Sequence, residues 1–146
     1  MNSMVEMFKQ SNYMGWGVAI VGLLVVLTPV LFPVCQAMLE LVSGKQVPMR
    51  CHWTANGEYV MGGLLTITGV LVAFTQSKEA FRNINVVVVL LGMAVVLLPI
   101  YFLPTCMHPE MACNLGTKPA LIILGSIAVI LGVFGSRRVN TDEAVE

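Results

Sequence analysis

Only 11% of the 146 residues are charged and 57% are hydrophobic; Lys and Arg number 8, Asp and Glu also 8. A soluble domain usually carries about 25% charged residues, so an ordinary soluble domain is excluded. Zero net charge gives no support for nucleic-acid binding.

The charge is confined to a few places. No Asp, Glu, Lys or Arg occurs in 10–39, 59–77, 83–109 or 119–136. Each window holds a helix of roughly 20 residues, enough to cross a bilayer. Runs such as Val86-Val87-Val88-Val89 could be read as buried strands, but strand runs stop at about 4–8 residues. A membrane barrel would need alternating polarity, which is absent. Helices satisfy their own backbone groups in lipid. The expected fold is therefore an all-α membrane protein with four transmembrane helices.

The start, 1–13, lacks the basic region and cleavage site of a secretory signal, so the first span is expected to be retained. Helix 1 is expected over 15–34. Tyr13 and Trp16 stand before and within its first turn, as interfacial aromatics do. Pro29, late in helix 1, removes an amide donor and should bend the helix.

The first connection, 35–57, begins Cys35-Gln36-Ala37-Met38-Leu39-Glu40-Leu41-Val42, read as a short surface helix ended by Ser43-Gly44. It closes with Met49-Arg50-Cys51-His52-Trp53-Thr54. Thr54 is expected to cap helix 2, over 58–74, with Glu58 at that helix's positive end. Trp53 and Tyr59 would lie at headgroup depth. Gly62 and Gly69 are two turns apart and share a face suited to close packing.

Helix 3 is expected over 85–103, with Pro99 and Tyr101 near its end. The second connection reads Cys106-Met107-His108-Pro109-Glu110-Met111-Ala112-Cys113-Asn114. Helix 4, over 119–135, carries Gly125 and Gly132, again two turns apart. After Arg137-Arg138, residues 139–146 are polar and acidic, and a disordered tail is expected.

The chain is written twice. Gly22, Val25, Val26, Leu27 and Pro29 recur as Gly92, Val95, Val96, Leu97 and Pro99. Pro33 and Cys35 recur as Pro104 and Cys106, Cys51 as Cys113, and Gly62 and Gly69 as Gly125 and Gly132. A repeat changes what the folding unit is. Here the unit is a two-helix hairpin, about 15–76 and then about 84–136, inside one membrane domain spanning 1–138. Two-span units repeat in the same orientation, so the halves are parallel copies.

Basic residues set orientation. Lys9, Lys78, Arg82, Arg137 and Arg138 lie on one side, and Lys45, Arg50 and Lys118 on the other. The excess places both termini in the cytoplasm and both cysteine-bearing connections outside. The expected location is a bacterial inner membrane. With the spans read as free of Asp, Glu, Lys, Arg and His, the ionisable groups of an ion pathway are missing.

All four cysteines, Cys35, Cys51, Cys106 and Cys113, and both histidines fall in the connections. Disulfides are expected on an oxidising outer face, and the repeat suggests Cys35 with Cys51 and Cys106 with Cys113. The competing reading is metal binding by Cys51, His52, Cys106, Met107, His108, Met111 and Cys113. Soft sulfur donors select Cu(I), so copper or iron is the cofactor this reading implies; no cofactor is otherwise called for. Thiol–disulfide exchange is a third reading, without the Cys-x-x-Cys pair such chemistry uses. His52, Trp53, Thr54 and Glu58 are the candidate face for a partner or ligand.

Met49-Arg50-Cys51-His52-Trp53-Thr54, followed by Ala55 and Glu58 before a Gly-rich helix, resembles a family of small bacterial four-helix inner-membrane proteins of unknown function with a Cys-His-Trp-Thr motif. The resemblance implies an integral inner-membrane protein associated with FtsX- and MacB-type permeases and with periplasmic metal uptake. It assigns no catalytic residue. The resulting expectation is a non-enzymatic accessory subunit of an ABC-type transport system, in contact with lipid and other transport subunits. A homo-oligomer stays open.

Overall fold

The computed structural model describes residues 2–32, 38–40, 42–48, 50–102 and 113–144. Four helices dominate: α1 (Asn2–Leu31), α2 (Arg50–Phe74), α3 (Lys78–Leu97) and α4 (Lys118–Ala144). A π-helical segment, Leu98–Phe102, prolongs α3, and another, Cys113–Thr117, leads into α4. Ser11–Leu31, His52–Phe74, Lys78–Phe102 and Asn114–Arg138 are each long and apolar enough to cross a membrane. The protein is a multi-pass, all-α membrane protein whose environment is a lipid bilayer.

The helices are longer than the charge-free windows. α2 begins at Arg50 rather than near Glu58, because no glycine or proline interrupts 50–56 and a polar helical turn can project beyond hydrocarbon. Thr54 is therefore inside α2, not its cap. α1 reaches back to Asn2, and α4 continues to Ala144 where a disordered tail is expected. Residues 38–40 are not helical. They form β1 (Met38–Glu40), antiparallel to β2 (Gln46–Pro48), with Leu39 opposite Val47. Gly44 turns the hairpin at φ 75°, a backbone conformation that favours glycine.

Pro29 lies within α1, and Pro99 lies within the π-helical segment after α3. At Pro99 the wider turn accommodates the lost donor and the ring's clash with the preceding turn. Beside Pro29, the Thr28 hydroxyl donates to the Leu24 carbonyl at 2.8 Å.

α1 packs against α2 and α3 against α4, and contacts of α2 with α3 and of α1 with α4 close the ring. The two hairpin seams use positions related by the sequence offsets. A Cβ on Gly62 would stand 2.8 Å from Val26 Cγ2 and 3.0 Å from the Gly22 carbonyl. A Cβ on Gly125 would stand 2.6 Å from Val96 Cγ2 and 2.9 Å from the Gly92 carbonyl. One face further along, Gly69 abuts the backbone of Ala19, and Gly132 abuts that of Val89. Lipid tails are as apolar as leucine, so such close approach, rather than hydrophobic transfer, holds spanning helices together.

Polar ties across the bundle are few. Ser11 Oγ donates to the Val72 carbonyl at 2.9 Å and joins α1 to α2. Interhelical bonds of this type average about 0.6 kcal/mol in a membrane, so packing outweighs them. The core is aliphatic: Val18, Val21, Leu65, Val72, Val88 and Ala128 form one cluster, and Val25, Val95 and Leu121 another. Leu124 packs against both.

Candidate functional site

The bundle has two unlike ends. One carries both chain termini and the α2–α3 link; it is called the terminal end. The other carries the connections after α1 and after α3, and is called the loop end. Every cysteine and histidine belongs to the loop end or to its connections.

Helical spacing sorts the residues of α2 at this end. Thr54, Glu58, Gly62, Leu65, Gly69 and Val72 recur at intervals of three and four, and all six are buried. That is one stripe of a 3.6-residue helix. His52 and Trp53 fall outside it and are exposed, as is Tyr59. The expected face of His52, Trp53, Thr54 and Glu58 is thus divided. Two members are turned into the bundle and two away from it, because the consecutive residues 52, 53 and 54, each about 100° round the helix from the last, cannot share one side.

Glu58 is the unusual member. It is 0% exposed, and neither carboxylate oxygen has a hydrogen-bond partner among the described residues. It lies beyond the second turn of α2, past the reach of the helix-terminal partial charge expected to favour it. It also lies within the span His52–Phe74. The expectation of spans free of ionisable groups is corrected by this residue. The charge-free window started one residue after Glu58, whereas the helix starts at Arg50.

The other half of the bundle presents a different residue at the matching position. Thr54, Glu58 and Gly62 correspond to Thr117, Leu121 and Gly125 at one constant offset. Thr117 and Leu121 are buried like their counterparts. Thr117 Oγ1 lies 3.5 Å from the Phe32 carbonyl, and Gly116 abuts the Phe32 ring, tying the start of α4 to the end of α1. The threonine and glycine are common to both halves, and the carboxyl is not.

The backbones of Cys51 and Cys113 stand in the first turn of α2 and at the head of the Cys113–Thr117 segment. Their side chains lie outside the described residues, as do Cys35, Cys106, Met107, His108 and Met111. The disulfide pairs and the sulfur–imidazole ligand set fall there too. Among the described residues no three His, Cys, Asp or Glu side chains gather as a metal site.

At the terminal end, Asn85 is a buried polar residue that the sequence reading passed over. It is 0% exposed, its Nδ2 donates to the Phe81 carbonyl at 2.8 Å, and its Oδ1 has no partner among the described residues. A Cβ on Gly135 would lie 2.5 Å from that oxygen. The signal was available: an amide at the start of an apolar run, seven residues before Gly92 on the seam face. Tyr13 and Trp16 are exposed toward this end, and Trp53 and Tyr101 at the loop end.

No curated protein and no solved structure matches the chain. A family model does match, over residues 18–136, which takes in most of all four spans. The chain belongs to the family described as Domain of unknown function (DUF4418).

Proposed function

We propose that the protein is a non-enzymatic integral subunit of a bacterial inner membrane, accessory to an ABC-type permease of the FtsX or MacB kind. Its cysteine- and histidine-bearing connections face the extracytoplasmic side. The observation that carries the reading is the distribution of buried polar groups. Thr28, Thr54, Glu58 and Thr117 are at the loop end, and Ser11 and Asn85 at the terminal end. Between them, among the described residues, the fully buried side chains Val18, Val25, Leu65, Val88, Val95 and Ala128 are aliphatic. Ion and proton pathways are marked by polar and ionisable side chains facing the bundle interior. A bundle sealed in the middle serves by packing beside a transporter. The orientation rests on the excess of basic residues at the terminal end.

Affinity purification in mild detergent tests the subunit reading. A permease of the FtsX or MacB type should co-elute in constant ratio with the tagged chain. Repeated recovery of the chain alone contradicts it.

The gathering of every cysteine and histidine at one end supports a second reading, extracytoplasmic handling of copper or iron or thiol–disulfide exchange. Mass spectrometry of alkylated, unreduced protein separates the chemistries. Four blocked thiols contradict thiolate ligation, and four free thiols contradict a disulfide frame.

A further inference from the structure

The buried carboxyl has no role in the subunit reading, and packing does not call for it. Leu121 fills the corresponding place in the second hairpin and is equally buried. A carboxylate taken out of water without a partner is among the costliest groups a protein can bury. Inside a membrane span such a group marks a functional site by default.

What accompanies it is narrowed by its surroundings. On α2, His52 and Tyr59 are exposed and leave the buried stripe, and the side chains of Arg50 and Cys51 lie outside the described residues. The part of α1 that packs on α2, from Gly15 onward, and Phe32 after it carry no titratable side chain. Lys78, Glu79 and Arg82 of the third helix lie at the terminal end; at the loop end its π-helical extension brings Leu98 to Gly57, and the one titratable group of that extension, Tyr101, is exposed. On α4 the charged residue at this end is half-buried Lys118, and in the β-hairpin Glu40 and Lys45 are exposed. Among the described residues none of these groups hydrogen-bonds either Glu58 oxygen.

We propose that Glu58 is a proton-binding site inside the membrane, loaded from the loop end of the bundle. Loading converts the carboxylate to a neutral carboxylic acid, with the proton taken from water at that end. Release returns the proton to the same water and leaves a buried negative charge. The aliphatic cluster of Val18, Val21, Leu65, Val72, Val88 and Ala128, further along the bundle, prevents passage to the far side, so the site binds a proton without conducting it. A charge left on Glu58 favours any arrangement that hydrates it, which gives the loop end a means of responding to extracytoplasmic acidity.

The test uses the intact protein in membranes and the hydrophobic reagent dicyclohexylcarbodiimide. The reagent adds to a protonated carboxyl, whose proton passes to the carbodiimide nitrogen, and rearrangement leaves a stable N-acylurea. Peptide mass spectrometry should find the adduct at Glu58 in preference to the other acids, with an extent that falls as the pH is raised. No adduct at Glu58, or an extent indifferent to pH, overturns the proposal. Infrared spectroscopy gives a second readout. A protonated-carboxyl C=O band should be present in the wild type and missing from Glu58→Gln; its absence from the wild type overturns the proposal without reliance on a variant.

Discussion

Glu58 and Leu121 hold the same place in the two hairpins, each one turn before a seam glycine, Gly62 or Gly125, and each fully buried. One position accepts a leucine in one copy and keeps a carboxyl in the other, so the space itself is apolar. Glu58→Leu should therefore stabilise the bundle. Removing an unpartnered buried polar group is worth about 1–3 kcal/mol. Thermal or SDS-induced unfolding in detergent measures it, and a loss of stability would show that the carboxyl has a structural partner. Leu121→Glu should cost a similar amount.

The seams are the next test. Gly62→Leu and Gly125→Leu force a side chain against Val26 and Val96, and overpacking of this kind costs about 1–3 kcal/mol. Gly63 is the control, because a Cβ there meets nothing within 4 Å. Gly63→Ala should leave unfolding unchanged or slightly improved. Equal effects at Gly62 and Gly63 would contradict the seam.

The start of α2 yields a sharp contrast. Asn56 is exposed and lies six residues inside the helix. Asn56→Pro should cost about 3 kcal/mol, since an interior proline removes a hydrogen bond and clashes with the preceding turn, whereas Asn56→Ala should be tolerated. If the helix began only near Glu58, the proline would be harmless. The same unfolding measurement decides between them.

The number of spans was legible because a charge is too costly to leave in hydrocarbon, so four charge-free windows mark four helices. Their ends were not legible. Hydropathy stops at the first charged residue, whereas the backbone of Arg50-Cys51-His52-Trp53-Thr54 continues as helix into a polar region. Strands of three residues, such as Met38–Glu40, are too short to show a period, and the apolar run around them imitates a helix. Glu58 escaped for the first reason: it stood at the edge of a window. Its alignment with Leu121, four residues before the matching glycine, was the signal that could have placed it in the core.

Orientation is tested by sided labelling in a chain whose four cysteines are replaced by serine. Lys45 lies in the hairpin at the loop end, and Ser77 in the short link between α2 and α3; both are exposed. Lys45→Cys should react with a membrane-impermeant maleimide added to cells with a permeabilised outer membrane. Ser77→Cys should react only after the inner membrane is disrupted. The reverse pattern would place the cysteine-bearing connections in the cytoplasm.

The sealed middle of the bundle, from which the accessory role follows, is tested most directly by flux. The purified protein, reconstituted alone into liposomes with a pH-sensitive dye inside, is given a proton gradient. The expected result is a leak no greater than that of protein-free vesicles. A protein-dependent leak that disappears in Glu58→Gln would contradict it, and would make the buried carboxyl part of a pathway across the membrane.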